Sequence, residues 1–377
     1  MALLDCATGC GDASFKDQPF DVTDGLILSN ILYCDFQTSL SRLSNPESIP
    51  LDLFFKNLLS NSSLKKTSQG LFLGTKPLRL AEKIHNTTRY KDIIISDFEE
   101  INNETKNIQF AAICYHIDKN LIFLCFRGTD DSLMGWMENL NLFLEENMPS
   151  QLFANDYLNK MMEKYPKASF ILGGHSKGGN LCVYAATYCK QTFKSRIQKI
   201  YSYDGIGFYP HTFDYDKFKE LEDKTLLIAP YDCLVGNLLE QPIKNRMIIS
   251  CNKTGLFCHD IHTWKTDGEH LQKANKQEFS SRSLATISEL NQMVYEQSYE
   301  KRKDFVIDFN NAVKSCSAKT LNDLKKNTSC AFNIYRKLSL HSNHYCLKQF
   351  ELSSSIISNS IKEQTKTHRS DGFSFIS

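Results

Sequence analysis

Residues Ser169 to Ala186 read SFILGGHSKGGNLCVYAA, a short apolar run that passes through Gly174-His175-Ser176-Lys177-Gly178 into a helical pattern. A serine between two close glycines matches the G-x-S-x-G nucleophile elbow, in which a sharp strand-to-helix turn lifts the hydroxyl clear of the backbone. The glycines keep neighbouring Cβ atoms out of the turn. The helix that follows aims unpaired N–H groups and its positive end at the place where an oxyanion would form. Ser169-Phe170-Ile171-Leu172 has the continuous apolar character of a buried parallel strand. Leu181, Tyr184, Ala185 and Tyr188 recur at helical spacing and would face a sheet. The bland alternative is a glycine-rich turn in an ordinary βα unit, and the flanking strand and helix favour a nucleophile.

Working outward, Phe110–Tyr115 and Leu121–Phe126 are apolar runs joined by His116-Ile117-Asp118-Lys119-Asn120, which predicts a β-hairpin. The polar loop Arg127-Gly128-Thr129-Asp130-Asp131 follows, then helices near Trp136–Leu144 and Ala154–Tyr165. Beyond the elbow helix come three more strand-like runs, Lys199–Tyr203, Thr225–Ala229 and Arg246–Ser250. Short apolar strands alternating with helices predict an α/β fold with a mainly parallel central sheet. Helices are also expected at Thr23–Tyr33, with Asp21 or Thr23 as cap, and at Leu51–Leu59. From Ser281 the pattern turns helical and stays so through Lys337, while Ser353–Ser377 reads as a flexible tail rich in Ser, Lys and Thr. The expected division is a hydrolase domain over 1–290, a helical extension over 291–352 packed on or next to it, and the tail over 353–377.

A chain of 377 residues is long for one compact domain, which suits a large domain with an appendage. A net charge of +1 lacks the basic excess of a nucleic-acid binder. No run has transmembrane length and the first residues lack a secretory pattern, so the cytoplasm is the expected location. The 13 cysteines are odd in number; Cys114, Cys125 and Cys182 sit within apolar patterns, so they read as buried free thiols.

A serine hydroxyl needs a positioned imidazole to take its proton, and the imidazole needs a carboxylate to fix its tautomer. In α/β-hydrolases the order along the chain is Ser, Asp/Glu, His. His259 and His262 lie just past the Arg246–Ser250 run, where the base belongs. Asp232 follows the Thr225–Ala229 run and is the preferred acid; Asp204, in Tyr203-Asp204-Gly205, is its competitor. Each has a plain structural alternative: an Asx turn for Asp204, a helix cap for Asp232, a core or surface histidine for His262. Cys251, Cys258, His259 and His262 fit no standard zinc spacing, so no metal or organic cofactor is expected.

Phe126-Arg127-Gly128-Thr129, with the acidic loop and Gly135-Trp136 after it, resembles the F-R-G-[ST] motif of fungal-type (class three) lipases. That resemblance implies that Thr129 gives both its side chain and its N–H to an oxyanion hole, with the Lys177 N–H as second donor. It puts Asp232 at the acid position and His259 near the histidine. Phe126–Trp136, Gly173–Asn180, Tyr203-Asp204-Gly205, Val235-Gly236 and His259-Asp260…Trp264 together are similar to a bacterial family of α/β-hydrolase-like proteins described only as a domain of unknown function. The likeness runs from about Phe20 to beyond Glu300 and favours His259 over His262.

Two departures stand out. Lys177 replaces the usual leucine after the nucleophile and reads as a solvated helix-start residue, or else as a cation favouring anionic substrates. The Asp232 loop lacks the proline that often follows the lipase acid. The resemblance also implies a lid from the apolar stretch Leu133-Met134-Gly135-Trp136-Met137 to Leu144, for which ordinary core is the plainer reading. Gly255-Leu256-Phe257 would line a pocket or anchor the histidine loop.

The expected activity is that of a serine hydrolase acting on carboxylic esters, small-molecule or lipid, with Ser176, Asp232 and His259 as triad. A thioesterase, acyltransferase or amidase on the same fold is the alternative, and a non-catalytic binding protein the third reading. The sequence names no protein partner.

Overall fold

The computed structural model describes residues 3–44, 46–60, 74–103, 105–130, 133–144 and 147–315. Its strands are β1 (Ser48–Pro50), β2 (Ile94–Asn103), β3 (Ile108–His116), β4 (Leu121–Phe126), β5 (Ser169–His175), β6 (Ile197–Tyr203), β7 (Thr225–Pro230) and β8 (Arg246–Ile249). Before β2 come helices α1 (Leu3–Gly9), α2 (Val22–Ile31), α3 (Phe36–Leu40), α4 (Leu51–Ser60) and α5 (Lys76–Ile84). Later helices are α6 (Leu133–Leu140), α7 (Pro149–Lys164), α8 (Lys177–Tyr188), α9 (Tyr215–Phe218), α10 (Ser281–Tyr295) and α11 (Tyr299–Lys314).

All eight strands form one sheet whose spatial order is their chain order. β1 to β4 pair antiparallel and β4 to β8 pair parallel. The expected mainly parallel sheet flanked by helices is therefore present. Side chains alternate across it, as strand geometry requires. Ile113, Tyr115, Phe123 and Cys125 point into a core shared with α2, α4 and α5. Ala112, Cys114, Leu124 and Phe126 point the other way, against α7 and α8. The N-terminal helices thus cover one face and the helices that link the parallel strands cover the other.

α2 shows why a short segment can be helical in so apolar a setting. Asp21 Oδ1 accepts the N–H groups of Thr23 and Asp24 at 2.7 and 3.2 Å, and Asp24 Oδ2 accepts the Asp21 N–H at 2.9 Å. Such reciprocal capping is worth about 1 kcal/mol. Beyond the cap nearly every residue is buried, as in a helix enclosed by other elements.

The hairpin, the elbow strand and the later strands lie where the sequence predicts them. β2 is a strand the pattern does not reveal, because Asp97, Glu99 and Glu100 interrupt its apolar residues. Its irregular pairing with β3 between Ser96 and Glu99 accommodates them. The helical reading continues into α10 and α11. The expectations for helix from 316 to Lys337 and for a tail over 353–377 lie outside the described residues.

Candidate active site

β5 ends at His175 and α8 begins at Lys177, so Ser176 alone makes the turn, with φ 60° and ψ −125°. A serine in this sparsely populated region costs about 1–3 kcal/mol and persists only where its surroundings over-determine it. Here the Ser176 N–H is held by Tyr203 O at 2.9 Å, and Ser176 O accepts the Gly179 N–H at 2.9 Å. A Cβ at Gly174 or Gly178 would come within 2.5 or 2.2 Å of Phe126 O, the end of β4. The elbow therefore packs backbone to backbone on the neighbouring strand.

Asp204 follows β6 with a left-handed φ of 48°, and its carboxylate is buried under the turn Gly255–His259. Asp204 Oδ2 lies 2.6 Å from His259 Nδ1. A carboxylate beside Nδ1 fixes the proton there and leaves the Nε2 lone pair open to accept another. Asp204 Oδ1 accepts the Gly236 N–H at 2.9 Å and faces Cys233 Sγ at 2.5 Å. Among the described residues Ser176 Oγ has no hydrogen-bond partner, His259 included. Such contacts commonly tighten only with substrate bound.

The expectation that Asp232 orients His259 is corrected by this geometry. Asp232 accepts the Ser280 hydroxyl at 2.5 Å, the Gly255 N–H at 2.9 Å and the Arg282 guanidinium. It braces the start of the histidine turn from outside, while Asp204 reaches the ring. His262 points elsewhere: its Nε2 lies 3.2 Å from Asn30 Oδ1 on α2, and burial pulls its pKa down to about 4. The four residues weighed as metal ligands do not share one site among the described residues. The Cys251 and Cys258 thiols lie against each other, with Thr263 and Lys253 O as further partners, while the two histidines go to Asp204 and Asn30.

His175 lies beneath His259, with ring centroids 4.5 Å apart and planes at 29°. Its Nε2 is 3.0 Å from His259 O, an atom that can only accept, so Nε2 carries the proton. Nδ1 is then the acceptor for Tyr33 Oη at 3.4 Å. Burial, with the charge of His259 next, holds His175 well below the usual histidine range, so it stays neutral.

The loop after β4 lies against the elbow, and a Cβ on Gly128 would stand 3.2 Å from Ser176 Cβ. Thr129 is buried there, and Asn139 Nδ2 on α6 lies 2.8 Å from its Oγ1. Neither the Thr129 N–H nor the Lys177 N–H has a partner among the described residues. The Lys177 side chain overturns both expectations for it. It is wholly buried, with Nζ 2.8 Å from Glu138 Oε2 and 2.7 Å from Gln109 O. Of the apolar stretch expected as lid or core, Met137, Leu142 and Leu144 are buried; the side chains of Leu133, Met134 and Trp136 lie outside the described residues.

Sequence reasoning missed Glu138, Asn139, Cys233 and the part played by His175. Glu138 had a signal, since a lysine inside a glycine-rich elbow flanked by apolar residues needs an anion. Cys233 had none, because a cysteine beside the favoured Asp232 reads as a small hydrophobe.

A family model described as Mbeg1-like matches residues 84–310. No curated protein matches the chain. Among solved structures, M37 lipase is 15% identical with a TM-score of 0.34, over 58% of this chain and 70% of that one. The Yarrowia lipolytica lipase Lip2 is 13% identical with a TM-score of 0.32, over 53% of this chain and 74% of that one. The Rhizomucor miehei lipase propeptide complex is 17% identical with a TM-score of 0.31, over 39% of this chain and 52% of that one, so the match spans about half its length. TM-scores this low add nothing to the topology already described.

Proposed function

We propose that this chain, which belongs to the Mbeg1-like family, is a serine hydrolase that cleaves carboxylic esters through an acyl-enzyme. The supporting observation is the 2.6 Å contact of His259 Nδ1 with the buried Asp204 carboxylate, with the His259 ring stacked on His175, the residue before a serine held at φ 60° on the elbow. His259 Nε2 takes the Ser176 hydroxyl proton as Oγ attacks the acyl carbon. The imidazolium so formed is stabilised by Asp204, which stays ionised. The oxygen that becomes negative is met by the Thr129 and Lys177 N–H groups, at the positive end of α8. Collapse expels the alcohol, which recovers the proton from His259. Water then repeats the attack on the acyl-Ser176 ester and frees the acid.

Asp204 thus replaces Asp232 as the triad acid in this reading, and His259 remains the base. Labelling by a fluorophosphonate probe tests the proposal: the parent protein is expected to label and Ser176→Ala is not. A folded parent that takes up no probe, or a Ser176→Ala variant that labels equally, would overturn it. A chain-length series of p-nitrophenyl esters, run beside thioester and amide substrates, then reads the acyl preference.

A further inference from the structure

We propose that Cys233 is a positioning residue for the acyl-transfer centre, its thiol holding one oxygen of Asp204 so that the other faces His259. The inference rests on Ser176, His259 and Asp204 acting together as proposed above. Cys233 Sγ is 2.5 Å from Asp204 Oδ1, and the Gly236 N–H reaches the same oxygen at 2.9 Å. Both Cys233 and Asp204 have no exposed surface. An ionised carboxylate can only accept, so the sulfur proton lies between them.

The thiol is itself fixed. The Cys233 N–H donates to Pro230 O at 3.0 Å, at the end of β7. Cys233 O accepts Asn237 Nδ2 at 3.2 Å and the Ser283 hydroxyl, which lies in the first turn of α10. The loop after β7, where the sequence suggested an acid, thus supplies donors to an acid that comes from β6. Burial, with Asp204 next, pushes the Cys233 thiol well above its ordinary range, so it stays protonated wherever the dyad works. The other titratable or charged groups bearing on this unit are His259 and Cys258 on the Gly255–His259 turn, Cys251 after β8, His175 stacked under His259, and Asp232 beside Cys233 with its partner Arg282.

A donor on Oδ1 withdraws charge from the carboxylate and stops it rotating. Without it, Asp204 keeps the Gly236 N–H alone, becomes more basic, and holds the His259 proton more firmly. The rate constant for fluorophosphonate inactivation, measured from pH 5 to pH 9, reads both effects. Cys233→Ala is expected to slow inactivation about tenfold and to move the acid limb of the profile to higher pH. Cys233→Ser, which returns an O–H donor, is expected to recover most of the rate and the parent limb. An Ala variant with the parent's rate and profile overturns the inference, as does a Ser variant as slow as Ala with an unmoved limb.

Infrared spectra read the hydrogen bond without any activity. The S–H band lost in Cys233→Ser is expected below the frequency of the remaining buried thiols and should move up in Asp204→Asn. An S–H band at the ordinary frequency overturns the inference even if Cys233→Ala does not fold. Failure of Ser176 to label, with the shifted band present, would instead remove the hydrolase reading and the positioning role of Cys233 with it.

Discussion

Lys177 Nζ sits 2.8 Å from Glu138 Oε2, and neither side chain has any exposed surface. The residue that follows the proposed nucleophile is thereby tied to α6, the helix that also presents Asn139 to Thr129. Glu138 takes more than the lysine: its two oxygens accept the N–H groups of Gln109 at 3.1 Å and Ser150 at 3.2 Å. One carboxylate thus joins the elbow, the start of β3 and the start of α7. A buried pair of this kind adds little net stability over an apolar pair, but breaking it leaves an uncompensated charge. Glu138→Ala should cost about 3–5 kcal/mol in urea unfolding, whereas Lys177→Met combined with Glu138→Leu should cost much less. Equal losses in the single and double variants would contradict the pairing.

Asp204 and Asp232 separate cleanly by experiment. Asp204→Asn leaves a neutral amide where His259 Nδ1–H needs an anion, and the wrong tautomer is then favoured. The fluorophosphonate rate should fall on the order of 10⁴-fold with little change in fold. Asp232→Asn acts only through the Gly255 N–H and the first turn of α10, so its rate should stay within about tenfold of the parent. The reverse ranking would return the acid to Asp232.

Thr129 offers a test of the oxyanion contacts. Asn139 holds the Thr129 hydroxyl from both sides, donating from Nδ2 at 2.8 Å and accepting at Oδ1 at 3.1 Å, so the hydroxyl has to turn from Oδ1 to reach the developing negative oxygen. Thr129→Val should lower kcat on p-nitrophenyl esters about 10²-fold with KM nearly unchanged, because the contact exists only in the transition state. A loss confined to KM would assign Thr129 to substrate binding instead.

The elbow was legible because three local features agree in one stretch: an apolar strand, small residues at the turn and a helical repeat. Position after the last strand narrows the candidate bases to His259 and His262, and of these it is His259 that meets a carboxylate. The carboxylate that meets His259 was not legible, since Asp204 and Asp232 both follow parallel strands and sequence carries no measure of which carboxylate turns inward. That depends on the left-handed backbone at Asp204 and on donors from Cys233 and Gly236, which lie 29 and 32 residues further on. Lys177 was misread for a related reason. A charged side chain is exposed unless paired, and its partner Glu138 lies 39 residues earlier.

The histidine that the site does not use has a consequence for acid stability. His262 is held against Asn30, with its pKa pulled down to about 4 by burial, the nearby Asp260 charge opposing and Lys76 adding to the shift. An unfolded chain would take up that proton near pH 6.5. Between pH 6.5 and about 4 the unfolded state therefore binds more protons than the native one, so stability rises with pH and is lost on acidification through this window. His175 is shifted in the same direction and adds to the same slope. The His262 contribution amounts to about 3 kcal/mol across the window. His262→Gln removes this titration while retaining a polar side chain, so the fall in unfolding free energy from pH 7 to pH 4.5 should be smaller in the variant by most of that amount. Urea titrations of both proteins across that range give the comparison, and parallel pH curves for the two would exclude His262 as the source of the slope.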